Sequence, residues 1–260
     1  MIVFICLLSY KYNIFAGKFL FMAETFIFFT VKGGTGKTSI ATLFSSWLDQ
    51  QKKKVLCVDA DAPAYNLYNL RQRELSEYQT NPEAIDRLVP EDSHSIYPII
   101  KLGSGIEERQ NLIHIKQKGL FDYIVVDFPG SLTDSNAIAL IKEKFVDHAI
   151  LPTILDTSVI VSNIKAASQL KNFIQDVRFL WNNVLYHEKE EIYNEHTQTI
   201  QQTYGIGVCH HKVKSTSYMR REYGSDQIFI KSTLCYPAKT LKDKKLDYES
   251  VFNELINSKI

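Results

Sequence analysis

One octapeptide, Lys32-Gly33-Gly34-Thr35-Gly36-Lys37-Thr38-Ser39, restricts the folds open to this chain more than any other stretch. Ahead of it, Phe26-Ile27-Phe28-Phe29-Thr30-Val31 reads as a buried strand; behind it, Ile40, Leu43, Phe44, Trp47 and Leu48 recur at helical spacing between Ser39 and Asp49. A glycine-rich turn between strand and helix aims successive backbone N–H groups into one concavity at the helix N-terminus, which makes an anion site by geometry. Gly33, Gly34, Thr35 and Gly36 supply that turn. The common phosphate-loop pattern G-x-x-x-x-G-K-[ST] needs a glycine where this chain has Val31, so the match is to a narrower pattern with a second lysine, Lys32, placed five residues before Lys37. Lys37 is expected to reach the β and γ phosphates of a nucleotide, and the Thr38 hydroxyl to ligate a magnesium ion bridging them, with Ser39 extending the same first turn.

Two more apolar runs end in acids. Lys54-Val55-Leu56-Cys57-Val58-Asp59-Ala60-Asp61 closes on two aspartates before Ala62-Pro63, and Phe121-Asp122-Tyr123-Ile124-Val125-Val126-Asp127-Phe128-Pro129-Gly130 closes on Asp127 before a Pro-Gly turn. Ligands of open α/β sheets bind outside the carboxyl ends of the strands, so three such ends can converge on one phosphate. Further strands are expected at His148 to Thr153 and Val177 to Val184, and a helix from Ser158 to Phe173. The alternation predicts an α/β fold: a doubly wound, mostly parallel twisted sheet with helices on both faces. Residues 22–260 read as a single domain and 1–21 as an extension outside it, with Met22 the expected start. The apolar stretch at Met1 to Leu8 is too short to span a membrane and lacks the basic start of a signal peptide.

The loop with its extra lysine resembles the deviant phosphate loop, K-G-G-x-G-K-[ST], of the ParA/MinD family of P-loop ATPases. Asp59-Ala60-Asp61 resembles that family's first switch, D-x-D, and Asp127-Phe128-Pro129-Gly130 its second, D-x-P-G; Leu151-Pro152-Thr153 is similar to its I-P-T strand end. The resemblance implies that Asp61 orients the attacking water and Asp59 supports it and the metal shell. It further implies that Asp127 holds Mg2+ through water and that Lys32 crosses to the ATP of a partner subunit in a homodimer. It places an asparagine at the adenine edge, Asn182 or Asn183 with Asn182 preferred, and Pro237 in the loop flanking the base. After the first switch many relatives read P-Q-G-N, whereas this chain reads Ala62-Pro63-Ala64-Tyr65-Asn66.

Charge adds one expectation. The whole chain carries a net charge of +1, yet residues 201–245 hold nine Lys or Arg against three acids. Such a surface neutralises phosphates without sequence preference, and ParA resemblance implies the same, which makes Arg220, Arg221, Lys242, Lys244 and Lys245 the candidate DNA contacts. A ParB-like centromere-binding partner and a cytoplasmic, nucleoid-associated location are implied alongside, with segregation of plasmid or chromosome DNA as the expected role. The alternative is a MinD-like, membrane-associated positioning ATPase. The last segment, Asp247 to Ile260, places Val251, Phe252, Leu255 and Ile256 on one helix face, but its polar face carries Asp247, Glu249 and Glu254 against Lys259, the wrong sign for a membrane anchor. That face is therefore expected to pack on the sheet. An electron carrier resembling the nitrogenase iron protein is excluded, because no cysteine lies between Asp127 and Cys209. The four cysteines and seven histidines show no zinc or disulfide spacing.

Overall fold

A computed structural model describes residues 22–80, 97–131, 135–215, 232–234, 236, 241–242 and 246–257. Their elements run β1 (Glu24–Phe28), α1 (Lys37–Gln50), β2 (Val55–Asp59), α2 (Asn66–Thr80), β3 (Ile99–Lys101), α3 (Ile106–Gln117) and β4 (Tyr123–Asp127). There follow α4 (Ser135–Lys142), β5 (His148–Thr153), α5 (Thr157–Leu170), β6 (Asp176–Trp181), α6 (Glu190–Tyr204), β7 (Gly207–Val208) and α7 (Tyr248–Asn257). The strands form one seven-stranded sheet in the order β3-β2-β4-β1-β5-β6-β7, and every pairing is parallel.

Parallel strands need crossovers, and crossovers put helices over both faces, so the strands read as unbroken apolar runs. Alternate residues of each strand enter different layers. Phe26 and Phe28 of β1 pack with Cys57 of β2 and with Ile40, Phe44 and Trp47 of α1, while Ile27 and Phe29 pack with Val126 and Phe128 and with the α3 to α6 side. Every residue of α1 from Ile40 to Leu48 is buried, more than an amphipathic stripe predicts, because α7 packs against it as well as the sheet. Phe252 of α7 lies 5.3 Å from the ring of Phe44 and 5.6 Å from that of Trp47. The terminal apolar face is thus spent inside the protein, in one cluster with α1 and with Phe28, Ile150 and Leu180 of the sheet, and Arg178 of β6 donates to the carbonyl of Leu255 at 3.0 Å. Among the described residues no helix is long and apolar enough to cross a membrane.

The sheet register sets the site. Phe28 of β1 is matched with Asp127 of β4, and Asp127 with Asp59 of β2, so two carboxylates stand in line on one side of the strand end that feeds the glycine loop. β6 stops at Trp181, short of the expected Val184, because Asn182 turns toward the loop and Asn183 adopts a left-handed conformation at φ 55°.

At the opposite, amino end of the sheet, His148 lies between Asp176, 2.5 Å from Nδ1, and Glu24, 3.3 Å from Nε2. Burial opposes the imidazolium, but the two carboxylates more than offset it and raise the pKa from 6.5 to about 9. A group protonated more readily in the folded state stabilises fully below its unfolded pKa and ceases to do so above its folded one. Stability should therefore fall between pH 6.5 and 9, by on the order of 2 kcal/mol. Urea denaturation across that range checks it, and His148→Gln should flatten the profile.

Candidate functional site

The loop from Lys32 to Gly36 leaves β1 and turns into α1 through two left-handed glycines, Gly34 at φ 78° and Gly36 at φ 90°. Gly36 also tolerates no side chain: a Cβ there would sit 2.2 Å from Asn182 Nδ2. It is the N-cap of α1, which has no side-chain cap and no acidic residue in its first turn, a helix N-terminus of the kind that favours an anion.

Lys37 is the hub. Its ammonium donates to Asp61 Oδ2 at 2.7 Å and to the carbonyl of Phe128 at 2.6 Å, and lies 3.0 Å from Asp127 Oδ1. Burial works against this charge, but Asp127 and Asp61 outweigh it and the pKa is raised. Asp127 is fully buried; burial pushes its carboxyl up to about 6 although Lys37 and the Thr38 hydroxyl oppose the shift. Thr38 Oγ1 donates to Asp127 Oδ2 at 2.7 Å. Loop, first switch and second switch thus meet at one ammonium group.

Asp59 serves the loop that carries Asp61. Its Oδ1 accepts from the backbone N–H of Asp61 at 3.1 Å and its Oδ2 from that of Tyr68 at 2.9 Å, so it ties the start of α2 to the end of β2. Burial raises its pKa against these donors. In this geometry Asp59 orients the first switch, while the carboxylate beside Thr38 is Asp127. Gly130 packs under the loop, where a Cβ would lie 3.3 Å from the carbonyl of Thr30. The side chain of Lys32 is exposed at the loop's outer edge, beside Val31, which is 42% exposed.

Next to the loop opens a cavity of about 510 Å³ lined by Gly34, Gly36, Ser39, Asn182, Asn183 and Glu188, with Ile40, Leu155, Leu185 and Tyr248 among the apolar walls. That volume lies within the usual size of a small-molecule pocket. Both candidate asparagines reach it, but Asn182 is buried and its Nδ2 donates 2.5 Å to the carbonyl of Thr35. Its amide therefore grips the glycine loop as well as lining the pocket. Glu188 closes the far end by accepting from the backbone of Leu185 at 2.7 Å and from the Tyr193 hydroxyl.

Residues that sequence reasoning passed over stand behind the loop. Thr30, Thr153 and Asn163 are buried and hydrogen-bonded to one another. Thr30 and Thr153, polar residues at the ends of apolar runs, carried a signal that could have pointed to them, since burying such groups is costly without partners, whereas Asn163 carried none. Of the candidate DNA contacts, Lys242 is exposed next to Leu241, while Arg220, Arg221, Lys244 and Lys245 lie outside the described residues, as does Pro237. Lys212, from the same basic stretch, pairs with Glu190.

A family profile described as the CobQ/CobB/MinD/ParA nucleotide binding domain matches residues 26–223. Among solved structures, the ATP complex of a McdA variant from Cyanothece is similar with a TM-score of 0.63 and 16% identity, over 92% of this chain and 98% of that one. The MinD cell division protein of Aquifex aeolicus gives 0.60 and 19%, over 92% and 98%. A ParA family ATPase from Chlorobium tepidum gives 0.56 and 20%, over 85% and 97%. Likeness at these identities is likeness of fold. Among curated proteins the sequence finds no match.

Proposed function

Because the chain belongs to the CobQ/CobB/MinD/ParA family of nucleotide-binding domains, we propose that it is a ParA-type ATPase: it closes into a homodimer around ATP, holds DNA non-specifically in that state and releases it on slow hydrolysis. The observation that carries this reading is the meeting of Lys37, Thr38, Asp61 and Asp127 at the mouth of a left-handed glycine loop, with Lys32 exposed beside them. Lys37 offsets charge on the β and γ phosphates, and Asp61, once Lys37 turns from it to phosphate, is free to accept a hydrogen bond from the attacking water. Lys32 reaches the partner's nucleotide, so assembly and hydrolysis are coupled. Asn182 and Pro237 border the base.

Mg2+ fits the residues present. Thr38 and Asp127 pair a hydroxyl with a buried carboxylate at 2.7 Å, and Mg2+ is ordinarily held by one or two such groups with phosphate and water completing its shell. When bound, the ion neutralises charge developing on the phosphates. Thr38 and Asp127 would hold it, with Asp59 behind them fixing the Asp61 loop.

DNA binding rests on the basic stretch from 201 to 245, with Arg220, Arg221, Lys242, Lys244 and Lys245 as contacts, and implies a nucleoid-associated, cytoplasmic protein stimulated by a ParB-like partner. The membrane alternative loses its natural anchor, because Val251, Phe252 and Leu255 are buried against α1. A gel shift across a salt series with ATP, ADP and no nucleotide tests the reading. Retention should require ATP, should disappear in Lys37→Ala, and should weaken by on the order of 10³-fold between 50 and 200 mM salt if about six phosphates are contacted. ATP-dependent pelleting with liposomes, without retention on DNA, would overturn it.

A further inference from the structure

We infer that Asn163 is a positioning residue for Lys32, acting from α5 through Thr30; the inference rests on the role proposed above for Lys32. Asn163 is wholly buried on a helix face that otherwise buries Val159, Ile160, Ala166, Ala167 and Leu170. An amide in such a place destabilises the fold unless it is bonded on both ends, and this one is. Its Nδ2 donates to Thr153 Oγ1 at 3.0 Å and to the carbonyl of Pro152 at 3.3 Å, while its Oδ1 accepts from Thr30 Oγ1 at 3.4 Å. The same Thr30 hydroxyl lies 3.3 Å from the carbonyl of Lys32. A hydroxyl has one proton to donate, so Thr30 shares it between Asn163 and the backbone of Lys32.

The other end of the loop is tied to the same place. Asn182 donates its backbone N–H to the carbonyl of Thr153 at 2.8 Å and its side-chain amide to that of Thr35 at 2.5 Å. Between the two ties lie Gly33 and Gly34, where an added Cβ would meet nothing within 4 Å. The middle of the loop therefore has no side-chain packing to fix it, and its course depends on how Lys32 and Thr35 are held. Both ties converge on the carboxyl end of β5, with Asn163 bracing the Lys32 side. Lys37 is already placed by the first turn of α1, so loss of the brace should affect Lys32 more than nucleotide binding.

The test compares Asn163→Leu, Thr30→Val and Thr30→Ser, each alone and in a Lys32→Ala background. It reads ATP turnover, affinity for a fluorescent ATP analogue, and Tm. Asn163→Leu and Thr30→Val should lower turnover about tenfold while affinity stays within about threefold, and Thr30→Ser, which keeps the hydroxyl, should restore turnover. In the Lys32→Ala background neither substitution should lower turnover further, because both act through Lys32. Should Asn163→Leu fail to fold, Thr30→Val carries the same comparison. Additive losses in that background, or affinity falling in step with turnover, would overturn the inference and leave the role of Lys32 standing. A Lys32→Ala protein with normal turnover would overturn the reading beneath it, and the inference with it.

Discussion

Lys37→Ala should abolish ATP hydrolysis and weaken nucleotide binding by on the order of 10²-fold, since a hydrogen bond from a charged donor contributes roughly 1.5–3 kcal/mol and more than one is lost. The same substitution should also change stability in a way that identifies the site. Lys37 is the cation within 3.0 Å of Asp127 and 2.7 Å of Asp61, and Asp127 has no solvent to turn to. Removing one partner of a buried pair ordinarily costs about 3–5 kcal/mol, but a carboxyl already raised to about 6 by burial can take up a proton, which limits the loss. The sign follows from linkage: a carboxyl with a folded pKa above its unfolded 3.8 favours the folded state when protonated, so its penalty grows as pH rises through the folded value. Without Lys37 that folded value moves higher. Urea denaturation should therefore show Lys37→Ala losing stability more steeply from pH 5 to 8 than wild type. Adding Asp127→Asn should recover the stability and not the binding. Equal pH slopes in wild type and variant would show that the ammonium does not compensate Asp127.

The parts of the site that could be read from sequence are those in which chain order and spatial order coincide. Residues 32–39 form one turn, and Asp59, Asp61 and Asp127 sit at the ends of apolar runs, so a parallel sheet delivers them to one edge whatever the loops do. Side-chain pairings across long separations carried no such signal. Thr30 meets Asn163, and Asn182 meets Thr35, through topology alone, and nothing in the local sequence of α5 distinguishes Asn163 from a solvated asparagine. Short elements were hidden for another reason. β3 has three residues and β7 two, and both are strands because a neighbour offers a ladder, not because their own pattern demands one. The terminal helix was legible as amphipathic, yet which surface it covers was decided by the aromatic cluster of Phe44, Trp47 and Phe252.

The same sheet edge joins two fixed points to one adjustable one. Arg71 of α2 donates to the carbonyls of Tyr97 and Thr233, and Glu74 accepts from the backbone of Thr233, so α2 is locked to the segment at 232–234 by buried polar contacts. α2 begins where the first switch ends. The stretch between Asp59 and α2 is thus bounded by anchored groups, the Asp59 carboxylate, which accepts from the backbone of Asp61 and Tyr68, and further along α2 this network.

Lys32→Ala should separate binding from hydrolysis, which no substitution at Lys37 can do. The side chain is exposed, makes no salt bridge among the described residues, and its charge is among the groups that lower the Asp156 carboxyl. Monomeric affinity for ATP should remain within about threefold of wild type, while turnover falls by on the order of 10³-fold, as for cationic groups supplied in trans to other phosphoryl-transfer sites. Mixing tests whether the lysine acts across the dimer. Asp61→Ala subunits keep Lys32 but cannot orient water, and Lys32→Ala subunits keep Asp61. Each mixed dimer then contains one complete site, formed by Asp61 of one subunit and Lys32 of the other. With equal amounts, half the dimers are mixed and each has one working site of two, so activity should return to about a quarter of wild type. If mixing restores nothing while light scattering shows dimers, Lys32 serves its own subunit, and the coupling of assembly to hydrolysis proposed for this ATPase is wrong.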